Sequence, residues 1–106
     1  MGVRMSSTTR VTTKPRPIRL SGRVDASTAA DVRATLHRAV TDSTGPLVLD
    51  LAAVTQLDAV GLGVLMGVYE RAHGLGRGVE LRRVPPRIAF TLRMSRVSRV
   101  LRPTAA

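Results

Sequence analysis

The run Leu47-Val48-Leu49-Asp50-Leu51 narrows the fold more than any other feature of the chain. Successive side chains of a strand point to opposite faces, so an apolar run of this kind belongs where both faces are covered, inside a parallel or mixed sheet. Parallel neighbours need crossover connections, which helices normally supply. The flanking sequence offers two. Upstream, Ala29, Val32, Leu36 and Ala39/Val40 recur at helical spacing within Ala26 to Val40, with Thr28 and Asp31 as a start signal and Gly45-Pro46 as a stop. Downstream, Asp58 is a natural N-cap for a helix opening at Ala59 or Val60 and running to Gly74.

In that second helix Leu62, Leu65, Met66 and Tyr69 share one face, expected to turn inward, while Val64 and Val68 form another flank that reads as a contact surface. Gly78 to Val84 reads as a further strand. Pro85-Pro86 then starts a helix to Met94, with Ile88, Ala89 and Leu92 inward. At the N-terminal side, Arg10 to Thr13 and Arg16 to Leu20 read as two extended segments around Lys14-Pro15, and Val97, Val100 and Leu101 as a last short strand. Alternation of this kind predicts an α/β domain in which helices pack on a mixed sheet. Residues 1–9, rich in Ser, Thr and Arg, are expected to be a flexible basic tail, and 10–106 a single domain.

Composition removes several functional classes. With 106 residues the chain supports one core, and 43% hydrophobic content places it among globular proteins. Without cysteine there is no disulfide, thiolate nucleophile or cysteine zinc site. His37 and His73 lie far apart without acidic neighbours at ligand spacing, so no metal site is expected. The glycines Gly61, Gly63 and Gly67 form no phosphate-binding loop, because no Lys-Ser/Thr follows them. No cofactor is expected. The longest apolar run, Ala59 to Tyr69, is about half the roughly 20 residues of a spanning helix, so an integral membrane protein is not expected either.

The net charge of +10 is unevenly spread. Residues 1–23 hold six basic and no acidic groups, and residues 82–102 hold seven basic and none acidic, around a mildly acidic middle. Such ends attract something anionic. A specific nucleic-acid site is not expected, since Tyr69 and Phe90 are the only aromatic rings available for stacking.

Three segments, Leu20-Ser21-Gly22-Arg23-Val24-Asp25, Leu47-Val48-Leu49-Asp50-Leu51 and Leu57-Asp58-Ala59-Val60-Gly61-Leu62-Gly63, in this order and spacing resemble the STAS-domain family, best known as bacterial anti-sigma factor antagonists. The resemblance spans roughly residues 16 to 102. It implies a mixed four- to five-stranded sheet covered by about three to four helices mainly on one face. It also implies a non-catalytic, cytoplasmic regulatory adaptor whose partner is an ATP-binding anti-sigma factor or a related kinase-like protein. Docking would use Asp25, Asp58, Ala59, Val60, Gly61, Leu62 and Gly63. In the family, the first serine of the loop after the aspartate is phosphorylated by that partner, and phosphorylation releases the antagonist. A phosphate there would sit at a helix N-terminus and bring about −1.5 to −2 charges to an apolar contact.

Ala59 stands at the position of that serine and Val60 at that of the second one, so there is no hydroxyl to phosphorylate at the family position. Ser27, Thr28 and Thr55 are nearby, but their expected roles are caps and strand ends. A two-carboxylate acid/base pair of Asp25 and Asp58 is the catalytic alternative. Against it, Asp58 suits an N-cap and Asp25 a brace for its turn, and no nucleophile completes a site. The competing assignment within the family is an accessory subunit of a membrane transport complex. The sequence leaves open whether the chain is a monomer or a homodimer.

Overall fold

The computed structural model describes residues 17–95. Its elements are strand β1 (Pro17–Val24), helix α1 (Ala29–Asp42), strand β2 (Leu47–Leu57), helix α2 (Ala59–Gly74), strand β3 (Val79–Arg82) and helix α3 (Pro86–Arg93). Among the described residues the sheet is three-stranded in the order β1-β2-β3, with both pairs parallel. The expected α/β class and the central place of β2 hold. The Arg10 to Thr13 and Val97 to Leu101 strands lie outside the described residues, and the sheet described is parallel rather than mixed.

Leu47 to Leu51 is buried on both faces, as the run predicts. Beyond it the strand continues six residues further than expected, to Leu57, because two bulges disguise its pattern. Pairing with β1 runs from Arg19 opposite Asp50 to Ser21 opposite Ala53, and from Gly22 opposite Val54 to Arg23 opposite Gln56. Each step places one extra residue in β2 and reverses the alternation of its side chains. The buried positions after Leu51 are therefore Val54 and Leu57, not Ala53 and Thr55. The core takes Leu20 and Val24 from β1, Leu47, Leu49 and Leu51 from β2, Leu81 from β3, and side chains from all three helices.

Helix α1 begins at Ala29, directly after the Thr28 start signal and three residues inside the Ala26 to Val40 segment. The intervening residues are held in a turn by their own polar groups, which outbid the helix for the same backbone. Thr28 is the N-cap residue, but its hydroxyl donates to Arg23 O at 2.8 Å and makes no cap bond. Leu36 and Val40 are buried, whereas Val32 is only partly so. The other end of α1 is closed by Arg77, whose guanidinium donates to Val40 O (2.5 Å), Gly45 O (2.7 Å) and Ser43 Oγ (2.8 Å). Orphan carbonyls at a helix terminus need such donors.

In α2 the flank expected outside joins the core, while of the face expected inside only Leu65 is fully buried. Val64 and Val68 are core residues beside Leu65, and Leu62, Met66 and Tyr69 are half-buried. The helix packs against α1 as well as the sheet, so it buries a wider stripe than one apolar face supplies. Strand β3 is shorter than the expected Gly78 to Val84. Arg83 turns out of it at φ 52°, a conformation uncommon outside glycine. Helix α3 opens with Pro86 at its first turn and buries Ile88 and Leu92, with Ala89 half-buried.

Candidate functional site

Parallel pairing brings the C-terminal ends of β1 and β2 together, with Val24 opposite Leu57. The chain leaves β1 at Asp25 and leaves β2 at Asp58, so the two loops singled out in the sequence are neighbours. Asp58 N donates to Val24 O at 3.4 Å across the gap. C-terminal strand ends are where open α/β sheets commonly carry their sites.

The two carboxylates are committed to local structure. Asp58 Oδ1 accepts from Gly61 N at 2.9 Å, which caps α2 and orients its first turn. Asp25 is buried, and its Oδ1 accepts from Ser27 Oγ (2.6 Å) and Ser27 N (3.0 Å), while Oδ2 faces Arg23 Nε at 3.3 Å. The Ser27 hydroxyl, helped by its N–H and by Arg23, holds the Asp25 carboxyl below the ordinary aspartate range. Asp25 thus braces the turn before α1.

Gly61 fixes the approach of α2 to the strand ends. A Cβ at this position would overlap the Val24 carbonyl oxygen and come within 2.9 Å of Leu57 Cδ1, so only glycine lets the helix start this close to β1. Ala59, Val60 and Gly63 are turned to solvent, Leu62 is half-buried, and Val60 exposes 44% of its surface. The result is a small apolar platform on a rigid helix start, bordered by buried or capped acids. Gly63 and Gly67 meet nothing at their Cβ positions, so of the three glycines only Gly61 serves a close approach.

Three arrangements escaped the sequence reasoning. One is the Arg77 clamp on α1. Another is the partner of Asp50, the lone acid in the apolar run: Oδ2 accepts from Arg83 Nη2 (2.6 Å) and Nε (3.2 Å), and Oδ1 from Ala52 N (2.9 Å). The Arg83 bonds, then the Ala52 N–H, lower the Asp50 pKa. A charged residue inside a central strand was the available signal, since buried carboxylates require partners. The third is a pair of histidine contacts, one within α2 and one between α1 and α2. His73 stacks on Tyr69 at 5.5 Å, and Arg71 Nη1 lies 3.2 Å from His37 Nδ1, so both histidines have local structural contacts. Among the described residues there is no cluster of three potential metal ligands, and no helix is long and apolar enough to cross a membrane.

The Asp58 cap and the close approach at Gly61 thus stand together at the C-terminal end of a parallel α/β sheet. The family model described as "Mlab, STAS domain" matches residues 7–103, and the chain belongs to the STAS-domain family. An anti-sigma factor antagonist from Mycobacterium paratuberculosis is 25% identical, superposes with a TM-score of 0.79, and is matched over 92% of this chain and 82% of its own. The anti-sigma factor antagonist SpoIIAA in its unphosphorylated form is 17% identical over 92% of this chain and 85% of its own, with a TM-score of 0.71. A serine-to-glutamate variant of RsbS from Moorella thermoacetica is 23% identical over 90% and 82%, with a TM-score of 0.69. These likenesses support a regulatory role of the STAS kind.

Proposed function

We infer that the chain is a non-catalytic, cytoplasmic adaptor of the anti-sigma factor antagonist type, which docks on an ATP-binding, kinase-like anti-sigma factor. The docking surface is the platform of Ala59, Val60, Leu62 and Gly63, with Asp25, Asp58 and Gly61 holding it in shape. The observation that carries this reading is the exposure of Ala59 and Val60 on a helix start that the Asp58 cap and the Gly61 contact make rigid. Apolar groups on a preorganised element bind without a large ordering cost. SpoIIAA exists in unphosphorylated and phosphorylated forms, and Ala59 leaves this chain with no oxygen for that modification at the position resembling the family's serine. Here the platform stays permanently in the state that a phosphate would otherwise close.

The test uses the kinase-fold anti-sigma factor of the same genome, with parent and A59S chains titrated before and after incubation with ATP, and phosphate followed by mass spectrometry. The parent binds and remains unmodified. A59S binds equally, then gains one phosphate and dissociates. Failure of the parent to bind, or phosphate on the parent at another residue that releases it, overturns the reading.

A second reading, an accessory subunit of a membrane transport complex, draws on the seven basic and no acidic residues between 82 and 102, a charge that suits an anionic lipid surface or an acidic subunit. Co-purification with an integral ATP-driven transporter rather than a soluble ATP-binding protein selects it.

A further inference from the structure

Helix α3 turns Ile88 and Leu92 into the core and carries exposed residues on the opposite side. Phe90 and Met94, one turn apart, expose 56% and 70% of their surfaces, and they are among the largest exposed apolar side chains of the described residues. Residues at i and i+4 stand side by side on a helix, so the two form one apolar stripe. Arg87 and Arg93 are exposed on the same helix, which carries no acidic residue. Arg82 and Arg83 are neutralised by Glu80 and Asp50, but no ion pair holds Arg87 or Arg93 among the described residues. Next to the helix start, a shallow cleft is lined by Val54, Thr55, Pro85, Pro86, Arg87 and Ile88, so Arg87 borders both stripe and cleft.

We propose that this face of α3 is a second docking surface, separate from the α2 platform, and that its occupant is an acidic amphipathic helix of a partner protein. Unpaired guanidinium groups flanking an aromatic ring and a flexible thioether match the residue types that dominate protein contacts. Arginine pairs with carboxylates through two parallel hydrogen bonds, so acids on either side of an apolar stripe on the partner would fix its register.

The charge disfavours the other occupants. In a two-fold dimer the same arginines would face their own copies across the axis. Nucleic acid offers phosphate to the arginines but leaves Met94 without a complementary contact. A lipid surface would gain two arginine contacts and two shallowly inserted side chains, which is marginal where stable anchoring takes two strong signals. The inference does not rest on the anti-sigma reading.

The experiment titrates the full chain, isotope-labelled for NMR, with a synthetic helical peptide carrying leucines at three- and four-residue spacing and glutamates elsewhere. A peptide with lysines in place of the glutamates is the control. The acidic peptide should shift the signals of Arg87, Phe90, Arg93 and Met94 and leave Ala59 and Val60 unmoved. F90S/M94S should weaken it by about tenfold or more. R87E/R93E should reverse the preference to the lysine peptide, with circular dichroism confirming that each variant is folded. Equal binding of the two peptides by the parent, or shifts confined to other surfaces, overturns the proposal. So does tighter binding to phosphatidylglycerol vesicles than to the acidic peptide, self-association abolished by F90S/M94S, or contacts from the chain's own residues 96–106 that occupy the stripe.

Discussion

Two glycines two positions apart in α2 should respond oppositely to one methyl group. At Gly61 the added Cβ meets the Val24 carbonyl oxygen and Leu57 Cδ1, and the oxygen belongs to a strand that is hydrogen-bonded into the sheet. It cannot rotate aside, so either the end of β1 or the start of α2 must shift. Overpacking of this kind costs about 1–3 kcal/mol, and a backbone obstacle puts G61A near the upper end. Alanine's helix propensity returns at most about 1 kcal/mol, leaving a net loss of about 2 kcal/mol. At Gly63 nothing lies within 4 Å of the new atom, so G63A keeps the propensity gain of up to about 1 kcal/mol. The pair should therefore differ by about 3 kcal/mol. Urea titrations followed by circular dichroism measure this directly, and in a domain of this size each kcal/mol corresponds to roughly 4–8 °C in Tm. If G61A proves as stable as G63A, the close approach of α2 to β1 is wrong, and with it the placement of the platform.

L49A should cost about 2–5 kcal/mol, since Leu49 is 1% exposed in the central strand, and the same urea titration reads it. D58A should lose about 1 kcal/mol with the cap bond to Gly61 N and raise amide exchange in the first turn of α2. Asp25 and Asp50 both have folded-state pKa values below the ordinary 3.8. Each therefore adds stability that is present above that value and lost as pH falls through the lower folded value. Denaturation midpoints measured from about pH 5 down to about pH 2 should fall, and D50N should flatten that fall while lowering stability at neutral pH. A D50N profile parallel to the parent's would mean that the Arg83 contact does not form in solution.

What the sequence disclosed followed from local chemistry. The Asp58 cap, the α2 boundaries and the buried Leu47 to Leu51 run were readable because each depends on residues adjacent in the chain. Where tertiary contacts decide, the reading went astray. Val64 and Val68 looked surplus because the sequence does not show that α2 leans on α1 as well as on the sheet. The six residues after Leu51 did not look like a strand because two bulges break the alternation that identifies one. Helix α1 opens at the Thr28 signal rather than at Ala26, because Asp25 and Arg23 engage the Ser27 and Thr28 hydroxyls in a turn. In the candidate site, the Asp25 and Asp58 loops meet because β1 and β2 pair in parallel, whereas the need for glycine at position 61 rests on a distance that no local pattern encodes.

If Ala59 and Val60 form the proposed docking platform, A59E disables it with one side chain. A carboxylate at the first turn of α2 suits the helix macrodipole, so the variant should keep its circular dichroism spectrum and urea midpoint. Buried unpaired against the proposed anti-sigma partner, the same carboxylate costs several kcal/mol, and calorimetric titration should show a loss of two or more decades in affinity. Unchanged affinity with the fold intact would show that the partner docks elsewhere.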